Sequence, residues 1–211
     1  MKWEQLPLGP LQTNCYVLYN DAKEAVIFDP GGDAHQLIEW LDSRSLKPAA
    51  ILLTHAHFDH IGAVDEIREA YKIDVYLHES EKDWLETPEK NGSARFLGDP
   101  SITARQADYQ IKEEGQLTIG SFSFSTLHTP GHSPGSVSFY HPESETVFSG
   151  DVLFSGSIGR TDLPGGDHQE LLQSIHNKLL DLPETVTAAC GHGPVTTIGA
   201  EMDSNPFLHG F

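Results

Sequence analysis

The sequence predicts an α+β fold of two β-rich halves interleaved with helices, and three observations predict it. Apolar runs bounded by turn residues recur through the first half, the second half alternates with period two from Gln116 onward, and amphipathic helical stretches separate the strand-like segments. Layer logic turns this order into two sheets packed together with helices covering the outer faces. With 211 residues, 38% of them hydrophobic, the chain is long enough to bury one sizeable core. No linker, low-complexity block or sequence repeat interrupts it, so one domain over residues 1–211 is expected.

Taken in order, TNCYVLY (13–19) and EAVIFD (24–29) read as a hairpin pair, the second ending at Pro30-Gly31-Gly32. Asp33 is expected to cap a helix to about residue 44, with Leu37, Ile38 and Leu41 on one face. AAILLT (49–54) reads as a buried strand followed by a helix over 61–71, and DVYLH (74–78) as another strand. The polar segment from Glu79 to Gln110 mixes a helix around Trp84 with irregular loop. QLTIG, FSFSTLHT, GSVSFYH and TVFSGD then alternate as strands between Gly, Pro and Asx-type turns. An amphipathic helix over about 168–180, carrying Leu171, Leu172, Ile175, Leu179 and Leu180, leads to a last strand near 185–189. Asn205-Pro206-Phe207-Leu208 is expected to fold back as a packing tail.

The 13 basic and 31 acidic residues give a formal charge of -18, which repels phosphate backbones and anionic lipid surfaces. No Lys/Arg cluster offsets this, so neither nucleic acid nor a membrane is expected as a partner. The N-terminal residues lack an apolar signal segment, and the expected location is the cytoplasm. Cys15 and Cys190 are too few for a disulfide framework and have no metal-knuckle spacing, so both read as reduced thiols.

Twelve histidines are the compositional oddity. Thr54-His55-Ala56-His57-Phe58-Asp59-His60 lies where a buried strand gives way to a helix, so four candidate ligands crowd into one turn. Such a turn can aim His55 and His57 at one ion and Asp59 and His60 at another, whereas burying this many imidazoles without metal is costly. His132 follows the strand FSFSTLH inside Thr129-Pro130-Gly131-His132-Ser133-Pro134-Gly135, Asp151 ends TVFSGD, and His192 follows the final strand in Cys190-Gly191-His192-Gly193-Pro194. Each of these three taken singly also fits an ordinary turn residue. Together they place metal-capable side chains beside glycines at separate strand ends, where a rigid scaffold presents functional groups.

The series His55, His57, Asp59, His60, His132, Asp151 and His192 resembles the metallo-β-lactamase superfamily, in order and across nearly the whole chain. The resemblance implies a four-layer αββα metallo-β-lactamase sandwich with its site at one edge between the sheets. It further implies that His55, His57 and His132 hold one metal, that Asp59, His60 and His192 hold a second, and that Asp151 bridges them. GPLQTNCY, HTPGHSPGS and SGDVLFSGSIGRTDLPGGD look like the glyoxalase II branch, especially its short members without a C-terminal helical domain. In the longer members that domain supplies much of the glutathione-binding surface, so the thiol carrier stays open.

The expected chemistry is hydrolysis of a small-molecule thioester of the hydroxyacyl-thiol type, S-lactoylglutathione-like, by water activated on two divalent ions, with Asp59 orienting that water. Zinc is expected, and a His/Asp donor set also accepts iron or manganese. Thr54 and Ser149 hydroxyls are candidates for orienting ligands, and Arg160 for bracing its loop through Asp162. Cys190 reads as a small apolar packing residue. The rival class is the persulfide dioxygenases, which resemble this chain in Gly159-Arg160-Thr161-Asp162 and use one iron on two His and a carboxylate. Other ester or lactone hydrolysis, and a non-catalytic metal-binding role, rank below both. β-Lactam hydrolysis ranks low for a cytoplasmic chain.

Overall fold

A computed structural model describes residues 1–209. The chain divides into two compact units, the first comprising residues 1–112 with Thr118–Phe122 and the second Glu113–Leu117 with the chain from Ser123 onward.

The first unit carries β1 (Lys2–Leu8), β2 (Thr13–Tyr19), β3 (Glu24–Phe28), α1 (Ala34–Ser43), β4 (Lys47–Leu52), α2 (Phe58–Ile61), α3 (Val64–Tyr71), β5 (Asp74–His78), α4 (Pro88–Asn91), α5 (Ser93–Phe96) and β6 (Tyr109–Ile111). Its sheet runs in sequence order from β1 to β6, antiparallel through β3 and parallel from β3 to β6. Parallel neighbours need crossovers, and α1, α2 and α3 supply the first two. Leu37 and Leu41 of α1 and Val64 and Ile67 of α3 pack in one buried cluster with Val17, Ile27, Ile51 and Val75 from the strands. That burial excludes water from the helix-facing side of the sheet and fixes the strand ends that follow β3 and β4.

The second unit carries β7 (Gly115–Ile119), β8 (Phe122–His128), β9 (Val137–His141), β10 (Thr146–Gly150), β11 (Leu153–Phe154), β12 (Ser157–Ile158), α6 (His168–Ser174), a π-helical turn (Ile175–Leu179), β13 (Thr187–Cys190), β14 (Thr196–Thr197) and α7 (Ile198–Ser204). Its sheet has the order β14-β13-β10-β9-β8-β7. β13 pairs parallel to β10, and α6 makes the crossover between them. Leu171, Leu172, Ile175 and Leu179 bury themselves with Val147, Ala188, Cys190 and Ile198. Two large sheets with helices on their faces bear out the α+β class.

Several expectations change in detail. Asp33 precedes α1 in a left-handed conformation and does not cap it, because its carboxylate instead accepts the Gly9 N–H at 2.8 Å. The helix expected over 61–71 is two helices, α2 starting at Phe58 and α3 at Val64. Ala63 N–H donates to the Pro30 carbonyl there, and a Cβ at Gly62 would lie 2.4 Å from Gly31 O, so the break presses the chain against the β3 exit. Trp84 sits in a turn after a short 3-10 segment (Glu79–Glu81), not in a helix. The helix over 168–180 divides into α6 and the π-helical turn, with Asp167 capping its start through Glu170 N–H. Asn205 and Leu208 are buried as a packing tail requires, while Phe207 stays exposed. Among the described residues no helix is long and apolar enough to cross a membrane.

Candidate metal centre

β4 ends at Leu52, and the chain then turns through His55-Ala56-His57 into α2, so His55, His57, Asp59 and His60 converge within the first unit. All three imidazoles are buried, with His55 ring centroids 4.7 Å from His57 and 4.1 Å from His60. The hydrogen bonds around them fix which nitrogen carries the proton. Asp29, at the end of β3, accepts Thr54 N–H at 2.7 Å and the Thr54 hydroxyl at 2.6 Å. Its carboxylate also faces His60 Nδ1 at 3.0 Å and has only lone pairs to offer, so Nδ1 donates and Nε2 holds the lone pair in neutral His60. Because the Thr54 proton goes to Asp29, its oxygen accepts from His55 Nδ1 at 3.0 Å, and His55 Nε2 is a lone-pair nitrogen as well. Asp59 Oδ2 accepts the Thr13 hydroxyl at 2.8 Å and lies 3.5 Å from His60 Nε2. The loop itself is pinned by Glu81, fully buried, whose Oε2 accepts Ala56 N–H at 2.6 Å.

In the second unit His132, Asp151 and His192 come together from the loops after β8, β10 and β13. Gly150, at φ 54°, lets β10 end abruptly and present Asp151. Asp151 Oδ2 stands 3.6 Å from His132 Nε2 and 3.5 Å from His192 Nε2. His132 Nδ1 donates to the Arg160 carbonyl at 2.8 Å, which leaves the lone pair on Nε2 as at His55 and His60.

These residues fit a divalent metal on two counts. Ligating histidines characteristically donate their second ring N–H to a carboxylate or carbonyl, and Asp29, Thr54 and Arg160 O receive such bonds here. The N···O separations of 3.5 to 3.6 Å are long for hydrogen bonds, yet close to the roughly 3.4 Å between neighbouring ligands of a tetrahedral ion with bonds of about 2.1 Å.

Asp29, Glu81 and Thr13 were missed from sequence. Asp29 carried a usable signal, since a carboxylate that follows the buried apolar run Ala25–Phe28 must find donors; Glu81 carried none, lying in a polar stretch far along the chain. Exchanging Asp29 for Asn turns one acceptor oxygen into a donor facing Thr54 and His60. Asp29→Asn is expected to weaken metal binding about 10–100-fold, as loss of an orienting partner commonly does. Chelator competition checks this, and unchanged affinity would contradict the bracing role.

Arg160 forms the braced pair expected, donating from Nε and an NH group to the two Asp162 carboxylate oxygens at 2.7 Å each. That carboxylate holds the Arg160 guanidinium above its ordinary pKa. Thr54 orients His55 as anticipated, whereas the buried Ser149 hydroxyl has no hydrogen-bond partner among the described residues. Both cysteines are free and buried, and burial pushes Cys190 up to about 12, with Glu201 and Asp151 adding to the rise. Of the aromatic residues near the site, the Phe154 ring lies 6.3 Å from that of His192, and Tyr140 packs against the second unit's core.

Strand-end histidines and carboxylates of this chemistry, on two helix-covered sheets, define a metallo-hydrolase. The chain belongs to the metallo-β-lactamase superfamily, whose family profile matches residues 8–192. Over 211 residues it is 54% identical to "Probable metallo-hydrolase YqgX" of Bacillus subtilis (strain 168), covering 100% of this chain and 99% of the relative. It is 41% identical to "Hydroxyacylglutathione hydrolase GloC" of Haemophilus influenzae over 212 residues, covering 99% of each. Among solved structures, the BLEG-1 B3 metallo-beta-lactamase superposes with a TM-score of 0.97 at 64% identity, covering 99% of this chain and 100% of that one. TTHA1623 in a di-iron-bound form superposes at 0.83 with 44% identity, covering 97% and 100%.

Proposed function

We propose that this metallo-hydrolase is a binuclear thioester hydrolase of the glyoxalase II type, acting in the cytoplasm on a hydroxyacyl thioester resembling S-lactoylglutathione. In this reading the two units work as one metallo-β-lactamase domain over residues 1–211. His55, His57 and His132 hold one divalent ion, Asp59, His60 and His192 hold another, and Asp151 serves both; zinc is the expected metal, and the di-iron form of TTHA1623 makes iron the chief substitute. The observation that carries the reading is the shared protonation pattern of His55, His60 and His132, each with Nδ1 engaged by a bond that leaves Nε2 as the ligand atom. The 41% identity to a hydroxyacylglutathione hydrolase supports the choice of substrate class.

Divalent ions supply a Lewis acid for an acyl carbonyl and a water whose pKa falls toward 7. The protein's part is to orient. Asp59, steered by the Thr13 hydroxyl, points the attacking water, while Asp29 and Thr54 hold His60 and His55 in direction through Nδ1. No Ser or Cys nucleophile is needed, consistent with two buried cysteines, and a thiolate departs without an acid residue. The test is loss of thioester absorbance with S-lactoylglutathione. A kcat/KM of roughly 10⁴ M⁻¹s⁻¹ or more is expected, the lower end of the usual enzyme range. Metal-loaded protein that leaves the thioester intact would refute the reading.

The 64% identity to a protein described as a B3 metallo-beta-lactamase favours β-lactam hydrolysis as a second reading. A chromogenic cephalosporin run beside the thioester decides between them by the ratio of the two kcat/KM values, since fold alone does not choose a substrate.

A further inference from the structure

Two buried side chains of the first unit reach the His55-Ala56-His57 turn from a segment outside the ligand set. Glu81 closes the 3-10 turn Glu79–Glu81, and the Trp84 N–H that donates to Glu81 O at 2.8 Å keeps the same three-residue spacing. Side chains three apart on such a turn eclipse one another, which lets Glu81 and Trp84 serve one face. Their neighbours Glu79, Ser80 and Lys82 are exposed, whereas Glu81 is fully buried and Trp84 only 6% exposed. Glu81 Oε2 accepts the Ala56 N–H at 2.6 Å, and the Trp84 ring centroid lies 5.8 Å from that of His57, the planes tilted by 38°. The backbone behind them is tied down as well. Asn91 Nδ2 donates to Trp84 O at 3.2 Å and to Ile102 O at 3.0 Å, and Ala104 N–H donates to Leu85 O at 2.8 Å.

We infer that Glu81 and Trp84 are positioning residues for the metal ligands His55 and His57, acting through the Ala56 peptide and the His57 ring. The inference rests on the metal-binding part of the reading above and is independent of the substrate. Burying a carboxylate is costly, and an apolar side chain would fill the same space at lower cost, so what Glu81 binds explains it better than packing does. The N–H it receives belongs to the peptide joining His55 to Ala56, one residue before His57. The two imidazoles stand nearly perpendicular, at 87° with centroids 4.7 Å apart, so a rotation of that peptide would swing both out of place. Thr54 engages His55 at Nδ1, and the bulk of the Trp84 indole restricts the ring of His57. Donors held in place before an ion arrives lose less freedom on binding it, which raises affinity.

The test compares Glu81→Asp, which keeps the charge and falls one methylene short, with Glu81→Gln, which keeps the length and an acceptor oxygen and loses the charge. Zinc affinity, measured on the full chain by chelator competition, should fall about 10-fold or more in Glu81→Asp, as loss of a ligand-orienting partner commonly produces. In Glu81→Gln it should stay within about threefold of wild type, because a neutral acceptor still makes a bond roughly half as strong. Two-bond proton–nitrogen NMR spectra of metal-free Glu81→Asp should shift or double the His55 and His57 ring signals and leave those of exposed His35 and His168 unchanged. A general loss of stability would not confine the change to those two rings. Cobalt(II), a paramagnetic quencher, should dim the tryptophan emission of wild type by up to about a third, one tryptophan of three, and Trp84→Phe should abolish that loss. Equal zinc affinities in all three chains, Glu81→Gln weakened as much as Glu81→Asp, or quenching that survives in Trp84→Phe would overturn the inference. Wild type that binds zinc and follows the expected pattern while leaving S-lactoylglutathione intact would uphold the positioning and overturn only the thioester reading.

Discussion

Asp151→Ala is expected to lose bound metal and turnover together. A single oxygen of Asp151 stands at ligand-to-ligand distance from two imidazole nitrogens, 3.6 Å from His132 and 3.5 Å from His192. Its removal leaves those histidines facing one another without the anion that offsets a dication's charge. Loss of an outer partner typically costs 10–100-fold in affinity or activity, so removing a carboxylate assigned to both ions should lower kcat/KM by about 10³-fold or more. Parallel elemental analysis and thioester assay of the variant check this. Wild-type rates from a variant shown to be metal-free would sink the two-metal mechanism.

The second large effect is steric. Gly159 follows β12, and a Cβ placed on it would sit 1.9 Å from the Asp151 carbonyl oxygen and 3.2 Å from His132 Cβ. Gly159 N–H also donates to Val152 O, so the backbone is tied on the side from which it would have to retreat. Overpacking costs about 1–3 kcal/mol where side chains can yield, and here backbone must move. Gly159→Ala is therefore expected to cost about 3 kcal/mol or more, a fall in Tm of roughly 6–12 °C for a chain of this length, with weakened metal binding as well. Thermal melts with and without added metal measure both. A melt within about 2 °C of wild type would mean that the loop after β12 does not press on Asp151 as the structure has it.

Much of the candidate site was legible because metal chemistry restricts residue type. His55, His57, Asp59 and His60 crowd one turn, and His132, Asp151 and His192 each follow an apolar strand beside glycine, so the sequence itself singles them out as candidates. The braces were harder, because Asp29 and Glu81 act through contacts 25 residues away from the backbone groups they hold. Nothing in a local window reports such a pairing. The same holds for the fold. Long apolar or alternating strands such as β2 and β8 declare themselves, whereas β1 alternates exposed and half-buried residues and contains Pro7, and so resembles an irregular terminus. β6 and β14 span three and two residues, too short for any period, and exist because a neighbouring strand offers them a ladder. Asp33 shows the converse error, a local capping signal overridden when Gly9 N–H offered its carboxylate a tertiary partner.

Elemental analysis of the purified wild-type chain bears most directly on the paired metal site. About two divalent ions per chain are expected, as two-metal activation of water requires. About one iron per chain, with oxygen uptake on a persulfide and no thioester loss, would contradict that site and place the chain with the single-iron chemistry of the same fold.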